Sequence, residues 1–269
     1  MNSDQSIGIF DSGIGGLTLA SEITQVLPNE SIVYFGDTAH LPYGDKSATA
    51  IQSYAVKICH FLLEKKCKII LIACNSASAA AYDLVKTYVG SKALVVNVID
   101  PVIDELGRNF SNKNLGLIGT NQTVGSGIYP QKAEALNKDI HIQSLATPLL
   151  APMIEAGFFD NSISAQIIES YLKQEELKNI EGLILGCTHY PLIKQQIQEF
   201  YQNKVEVLNS AEIVALEVKA LLEQNNLINQ SGKKGNKQFY VSDYTESFEK
   251  STKIFFGEKI KLKLFPIWD

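Results

Sequence analysis

A parallel α/β architecture in two related lobes is the fold the sequence predicts, and three observations predict it. Short apolar runs of strand length alternate with segments of helix length from end to end. Two of those runs, in KIILIACNSAS (68–78) and EGLILGCTHYP (181–191), stop at a cysteine and give way to polar residues. The third is an internal echo. NLGLIGTNQTVGSG (114–127) repeats the strand and glycine turn of residues 6–16, after which Thr38 is answered by Thr147, Cys74 by Cys187 and Val95 by Val205, at displacements of 109, 113 and 110 residues. A similar step at three successive motifs argues for duplication.

Taken in order, SIGIF (6–10) reads as a buried first strand, and DSGIGGLTLASEITQVLP as a glycine-rich turn running into a helix that Pro28 closes. The turn offers backbone amides to an anion at a helix start. Its spacing is not the full dinucleotide fingerprint and no P-loop lysine follows, so it carries little weight alone. SIVYFGDTAHLPYGDKS (31–47) is a second strand with a loop, and a helix begins near Ala48. Cys59 and His60 fall inside that helix and Cys67 precedes the third strand, where packed thiols and an ordinary helical histidine are expected. A helix follows Cys74, and ALVVNVIDPV supplies a fourth strand ending before Asp100. After Ser210 come a long helix, a polar loop around 231–236, and two strands in KQFYVSD and KIKLKLF with a helix from Tyr244 to about Lys253 between them. This tail has no counterpart after the second half, so it is expected to return to the first lobe. The expected division is 1–98 plus 210–269 against 99–209, with both cysteine strand ends in the cleft between. Met153 and the pair Leu149–Leu150 are expected in the core, and His40 and His141 on a loop and a strand surface.

Composition bounds the function. At 269 residues with 45% hydrophobic content the chain can bury a substantial core. The formal charge is -5 and the longest basic cluster is the short KKGNK at 233–237, which argues against nucleic acid as a partner. No apolar run reaches the roughly 18 residues of a membrane helix and the first residues lack the pattern of a signal peptide, so a soluble cytoplasmic protein is expected. Four cysteines without paired spacing read as free thiols. Arg108 is the only arginine, so an anionic ligand must be held mainly by amides, hydroxyls or lysine.

Ligands of open α/β sheets sit beyond the carboxyl ends of the strands, which is where Cys74 and Cys187 fall. Both are read as preceding helices, an environment that raises the thiolate fraction of a thiol whose ordinary pKa is about 8.5. Two acid/base groups facing each other across one cleft suit a reaction in which a proton leaves one face of a carbon and returns to the other. That is racemisation or epimerisation. Asp11 can accept from an ammonium, while Ser12, Asn75, Ser76 and Thr188 can donate to carboxylates, helped by amides such as those of Tyr43 and Gly44. His189 could assist Cys187. A zinc site drawn from Cys74, Cys187 and His189 lacks a second close ligand pair, so no metal is expected. Racemisation of aspartate and non-catalytic amino-acid binding both remain open on these residues.

IGIFDSGIGGL, YFGDTAHLPYGDKS, ACNSAS, GTNQTV and LGCTHYPL, in this order, resemble the glutamate racemase family of cofactor-independent amino-acid racemases over the whole chain. The resemblance implies two flavodoxin-like lobes, a cleft active site, no cofactor, and interconversion of L-glutamate and D-glutamate that supplies D-glutamate for bacterial peptidoglycan. It implies Cys74 and Cys187 as the acid/base thiols, the first serving D-glutamate and the second L-glutamate, with Asp11 and His189 as their assistants. Asp11, Ser12, Tyr43, Gly44, Asn75, Ser76, Thr188 and His189 are implied as substrate contacts, and Glu155 as an acidic residue near the histidine. A homodimer is one assembly it allows. Ser76 stands where the family often has threonine, which preserves the hydroxyl.

Overall fold

The computed structural model describes residues 1–268. Its first half runs β1 (Ile7–Asp11), α1 (Leu17–Val26), β2 (Ile32–Gly36), α2 (Ala48–Glu64), β3 (Ile69–Ile72), α3 (Asn75–Val89), β4 (Leu94–Asn97) and α4 (Asp100–Asn109). The second runs β5 (Asn114–Gly119), α5 (Asn121–Gly125), α6 (Ile128–Ala135), β6 (His141–Ala146), α7 (Leu150–Glu155), α8 (Ser162–Leu172), β7 (Gly182–Gly186), α9 (Lys194–Phe200) and β8 (Glu206–Leu208). The tail supplies α10 (Ser210–Gln224), β9 (Lys237–Val241), α11 (Glu246–Phe256) and β10 (Leu262–Leu264).

Two sheets result, and every pairing within them is parallel. The first has the order β10-β9-β2-β1-β3-β4 and the second β6-β5-β7-β8. The order second, first, third, fourth therefore occurs once in each half, as duplication of one doubly wound unit requires. In the tail, β9 pairs with β2 in register from Ile32 opposite Lys237.

Helices cover both faces of the first sheet, so its central strands are buried throughout instead of alternating in polarity. The pleat still sorts side chains. Ile7, Ile9, Ile32 and Tyr34 share a core with Leu17, Ala20 and Ile23 of α1. Phe10, Val33, Phe35, Ile70 and Ile72 share another with Ile51, Ala55, Ile58 and Leu62 of α2. Cys59 and Cys67 belong to that second core as packed free thiols, and burial pushes Cys67 up to about 12. His60 is exposed on α2, and His141 is exposed at the start of β6 beside Asp139.

Three expectations need correction. Leu150 and Met153 are buried, but Leu149 is 58% exposed because it stands just before the first turn of α7, on the side away from the core. The last strand is limited to Leu262–Leu264. Cys187 does not lead into an α-helix: Thr188 and His189 intervene, and Tyr190–Ile193 form a 3-10 turn with Pro191 in its first positions before α9 starts.

Candidate active site

The turns after β1 and β3 and those after β5 and β7 open at the carboxyl ends of their sheets, at the point where the strand order reverses. Between them lies a cavity of about 150 Å³. It is small for a nucleotide and suited to one small metabolite. Ser12, Tyr43, Gly44, Cys74, Asn75, Ser76, Glu155, Cys187, Thr188 and His189 all line it. Among the residues singled out in the sequence, only Asp11 is set back behind the wall.

Asp11 ends β1 with no exposed surface, and its Oδ2 accepts from the amides of Gly13 (3.2 Å) and Gly16 (3.0 Å). Its Oδ1 has no partner among the described residues. Burial raises the pKa of this carboxyl, against the opposing pull of His189. Asn75 begins α3 and is held from behind, since its Oδ1 accepts from the hydroxyl of Tyr129 at 2.8 Å. That bond leaves the Asn75 amide Nδ2 without a partner among the described residues and turned away from Tyr129. A buried donor left unpaired costs free energy, and an anionic ligand would remove the cost.

Cys74 is the N-cap of α3 and is 7% exposed. The thiol is nevertheless pushed up to about 12, by burial first and then by the Asp11 carboxylate. The gain in thiolate expected at a helix start is therefore outweighed: the Ala77 amide and the Ser12 hydroxyl lower the value, but desolvation raises it more.

On the other side, His189 Nδ1 lies 3.5 Å from Cys187 Sγ and its Nε2 lies 3.0 Å from Glu155 Oε1. Phe255 of α11 meets the imidazole edge-on with centroids 5.3 Å apart. Burial alone would depress His189. The Cys187 sulfur and the Glu155 carboxylate outweigh that and hold the imidazole well above the usual histidine range. Cys187 thus has a cation for a neighbour, whereas Cys74 has a carboxylate.

Sequence reading missed Thr120. It caps α5, lines the cavity, and its Oγ1 lies 2.8 Å from Ser76 Oγ, joining the turn after β5 to α3. The signal was present in the threonine of GTNQTV at the end of a strand in the repeated half. Leu41, Pro42, Gly186, Ala151 and Pro152 complete the wall, and none of them was singled out for chemistry because none carries a polar side chain. Arg108 is exposed on α4 beside Glu105, and none of the lining residues is a lysine or arginine.

Gly15 sets how closely the two sides approach. A Cβ there would stand 2.4 Å from His189 Cε1 and 2.7 Å from Thr188 Oγ1. Gly15→Ala must therefore displace the imidazole or part the turn from it. The expected result is a loss of about a hundredfold in turnover with little change in thermal stability, measured as activity against melting temperature. Activity within threefold of wild type would contradict the close approach.

Two parallel sheets thus meet over a small cavity flanked by a thiol from each. The chain belongs to the Asp/Glu/Hydantoin racemase family, whose model matches residues 17–218. It is 38% identical over 255 residues to glutamate racemase 3 of Caldanaerobacter subterraneus subsp. tengcongensis, covering 94% of this chain and 92% of that one. The structure of glutamate racemase from Francisella tularensis in complex with D-glutamate superposes with a TM-score of 0.92 at 34% identity, over 99% of both chains. That of the Thermus thermophilus enzyme in complex with beta-chloro-D-alanine gives 0.88 at 35% identity, over 98% of both.

Proposed function

We propose that this protein interconverts L-glutamate and D-glutamate by a two-thiol mechanism, supplying D-glutamate for bacterial peptidoglycan. The observation that carries the reading is that Cys74 and Cys187 reach one cavity from different sheets, in unlike electrostatic settings. One thiolate takes the Cα proton of the bound amino acid while the opposite thiol delivers a proton to the other face. Charge and proton count are conserved, because the thiolate and the thiol exchange places. The His189 imidazole, held well above its usual range, stands beside Cys187, and Cys74 with its raised pKa holds the proton to be given.

Charge that develops next to the α-carboxylate is met by fixed donors, the Asn75 amide and the hydroxyls of Ser12, Ser76 and Thr188, while the amides of Tyr43 and Gly44 hold a substrate carboxylate in ground and transition state alike. Asp11, behind Ser12, favours the substrate ammonium electrostatically. The chemistry asks for no cofactor, and we take the working protein to be cytoplasmic, with a homodimer as its assembly. No helix among the described residues is long and apolar enough to cross a membrane. The lobes we assign are 1–98 plus 210–269 and 99–209, following the partition of strands between sheets.

The test is conversion of L-glutamate in heavy water without added cofactor. D-glutamate carrying solvent deuterium at Cα supports the reading, and binding without exchange overturns it. Aspartate is expected to turn over far more slowly. The raised pKa of Cys74 adds a pH prediction. A group that must lose a proton to act as base works better as pH rises towards its pKa. In a Cys187→Ala variant, kcat/KM for elimination from a D-glutamate analogue with a β-leaving group should still be climbing at pH 9, since the Cys74 thiol is pushed up to about 12. A plateau below pH 8.5 would show that Cys74 is not so perturbed.

A further inference from the structure

A second buried carboxylate stands next to the cavity wall, and the chemistry above makes no use of it. Asp37 directly follows β2 and has no exposed surface. Four side chains surround its two oxygens. The hydroxyl of Tyr43 donates at 2.6 Å, that of Ser242 at 2.7 Å and the indole N–H of Trp268 at 2.7 Å, and His40 Nδ1 lies 3.0 Å away. Of these, only Tyr43 lines the cavity.

The wall it belongs to has little regular structure to hold it. Residues 41–44 form one side of the cavity, and only the short 3-10 turn Tyr43–Asp45 shapes them. Their position is set instead by side chains. Tyr43 is fully buried, so its hydroxyl needs a partner, and Asp37 is that partner. Asp37 is in turn fixed by residues about two hundred positions away in sequence. Trp268 adds packing to its hydrogen bond: its ring meets His40 edge-on at 4.5 Å, and His40 stacks on Tyr54 at 4.0 Å.

We propose that Asp37 is a positioning residue for the substrate-binding wall at Tyr43 and Gly44, and that Trp268 locks it in place. The role rests on the reading of the cavity as the glutamate site. It acts on binding: a wall held less firmly presents its amides to substrate and transition state equally poorly, which raises KM and leaves kcat nearly alone. An asparagine at position 37 turns one acceptor into a donor facing donors, so it disrupts the cluster more than loss of the indole N–H does.

The test uses the full chain with Asp37→Asn and Trp268→Phe. The expected results are rises in KM for both enantiomers of about tenfold and threefold respectively, with kcat within about threefold of wild type. Amide hydrogen exchange at residues 41–45 should accelerate in both variants while β7 is unchanged, a readout that does not depend on turnover. A lowered melting temperature with unaltered KM, or unaltered exchange at 41–45, would overturn the positioning role. Should Asp37→Asn fail to fold, Trp268→Phe alone decides. A wild-type chain that turns over no glutamate would instead sink the functional reading, and the exchange experiment would still judge the link between Asp37 and the wall.

Discussion

Cys74→Ala and Cys187→Ala are each expected to lose racemisation in both directions, by roughly a thousandfold or more, the scale of losing one positioned proton-transfer group. Both directions must fall together. Enantiomers are equal in free energy, so kcat/KM for L-glutamate and for D-glutamate are bound to match in every variant. One-sided chemistry escapes that constraint. With a β-leaving group on the substrate, abstraction leads to elimination and needs no proton on the far face. Cys74→Ala should then retain elimination from the L analogue only, through Cys187, and Cys187→Ala from the D analogue only, through Cys74. The measurement is keto-acid release from each enantiomer by each variant, beside polarimetric racemisation of glutamate. Racemase activity surviving in either variant, or the same enantiomer preference in both, would defeat the assignment of one thiol to each face.

Much of this site was legible in the sequence because its parts sit at strand ends. A buried parallel strand is an uninterrupted apolar run, so the residue where polarity returns is easy to find, and Cys74, Asn75, Cys187 and Thr188 were found that way. Contacts between distant turns left no such trace. Trp268 reads as one more aromatic in the tail, and Asp37 as an ordinary loop acid, until the fold brings them within 2.7 Å. The raised pKa of the Cys74 thiol escapes sequence reading for a related reason. A helix start at Cys74 is visible in sequence, whereas burial beside Asp11 is a property of the assembled cleft, and burial is the stronger influence there. At Cys187 the favourable cation comes from His189, two residues on, and not from a helix.

The largest loss of stability is expected from Lys68→Ala, and it arises far from the cavity. Lys68 precedes β3 with no exposed surface, and its Nζ donates to Glu30 Oε2 at 2.5 Å, to the Ser3 carbonyl at 2.6 Å and to the Leu227 carbonyl at 2.8 Å. Glu30, 2% exposed, accepts from the Asn229 amide at 2.7 Å through its other oxygen. One ion pair thus fastens the first residues, the turn before β2, the start of β3 and the chain leaving α10. Truncating the lysine leaves a buried carboxylate and two carbonyls without their cation, at a cost of about 3–5 kcal/mol. Equilibrium unfolding in urea measures it, and a loss below about 1 kcal/mol would show that water or a rearranged side chain satisfies Glu30. The pair itself need not be strongly stabilising, because burying two charges costs much of what their attraction returns. Combining Glu30→Leu with Lys68→Met should therefore recover most of the loss. Recovery would assign the effect to the stranded charge, whereas a double variant as unstable as Lys68→Ala would assign it to the bonds that Lys68 and Glu30 make to Ser3, Leu227 and Asn229.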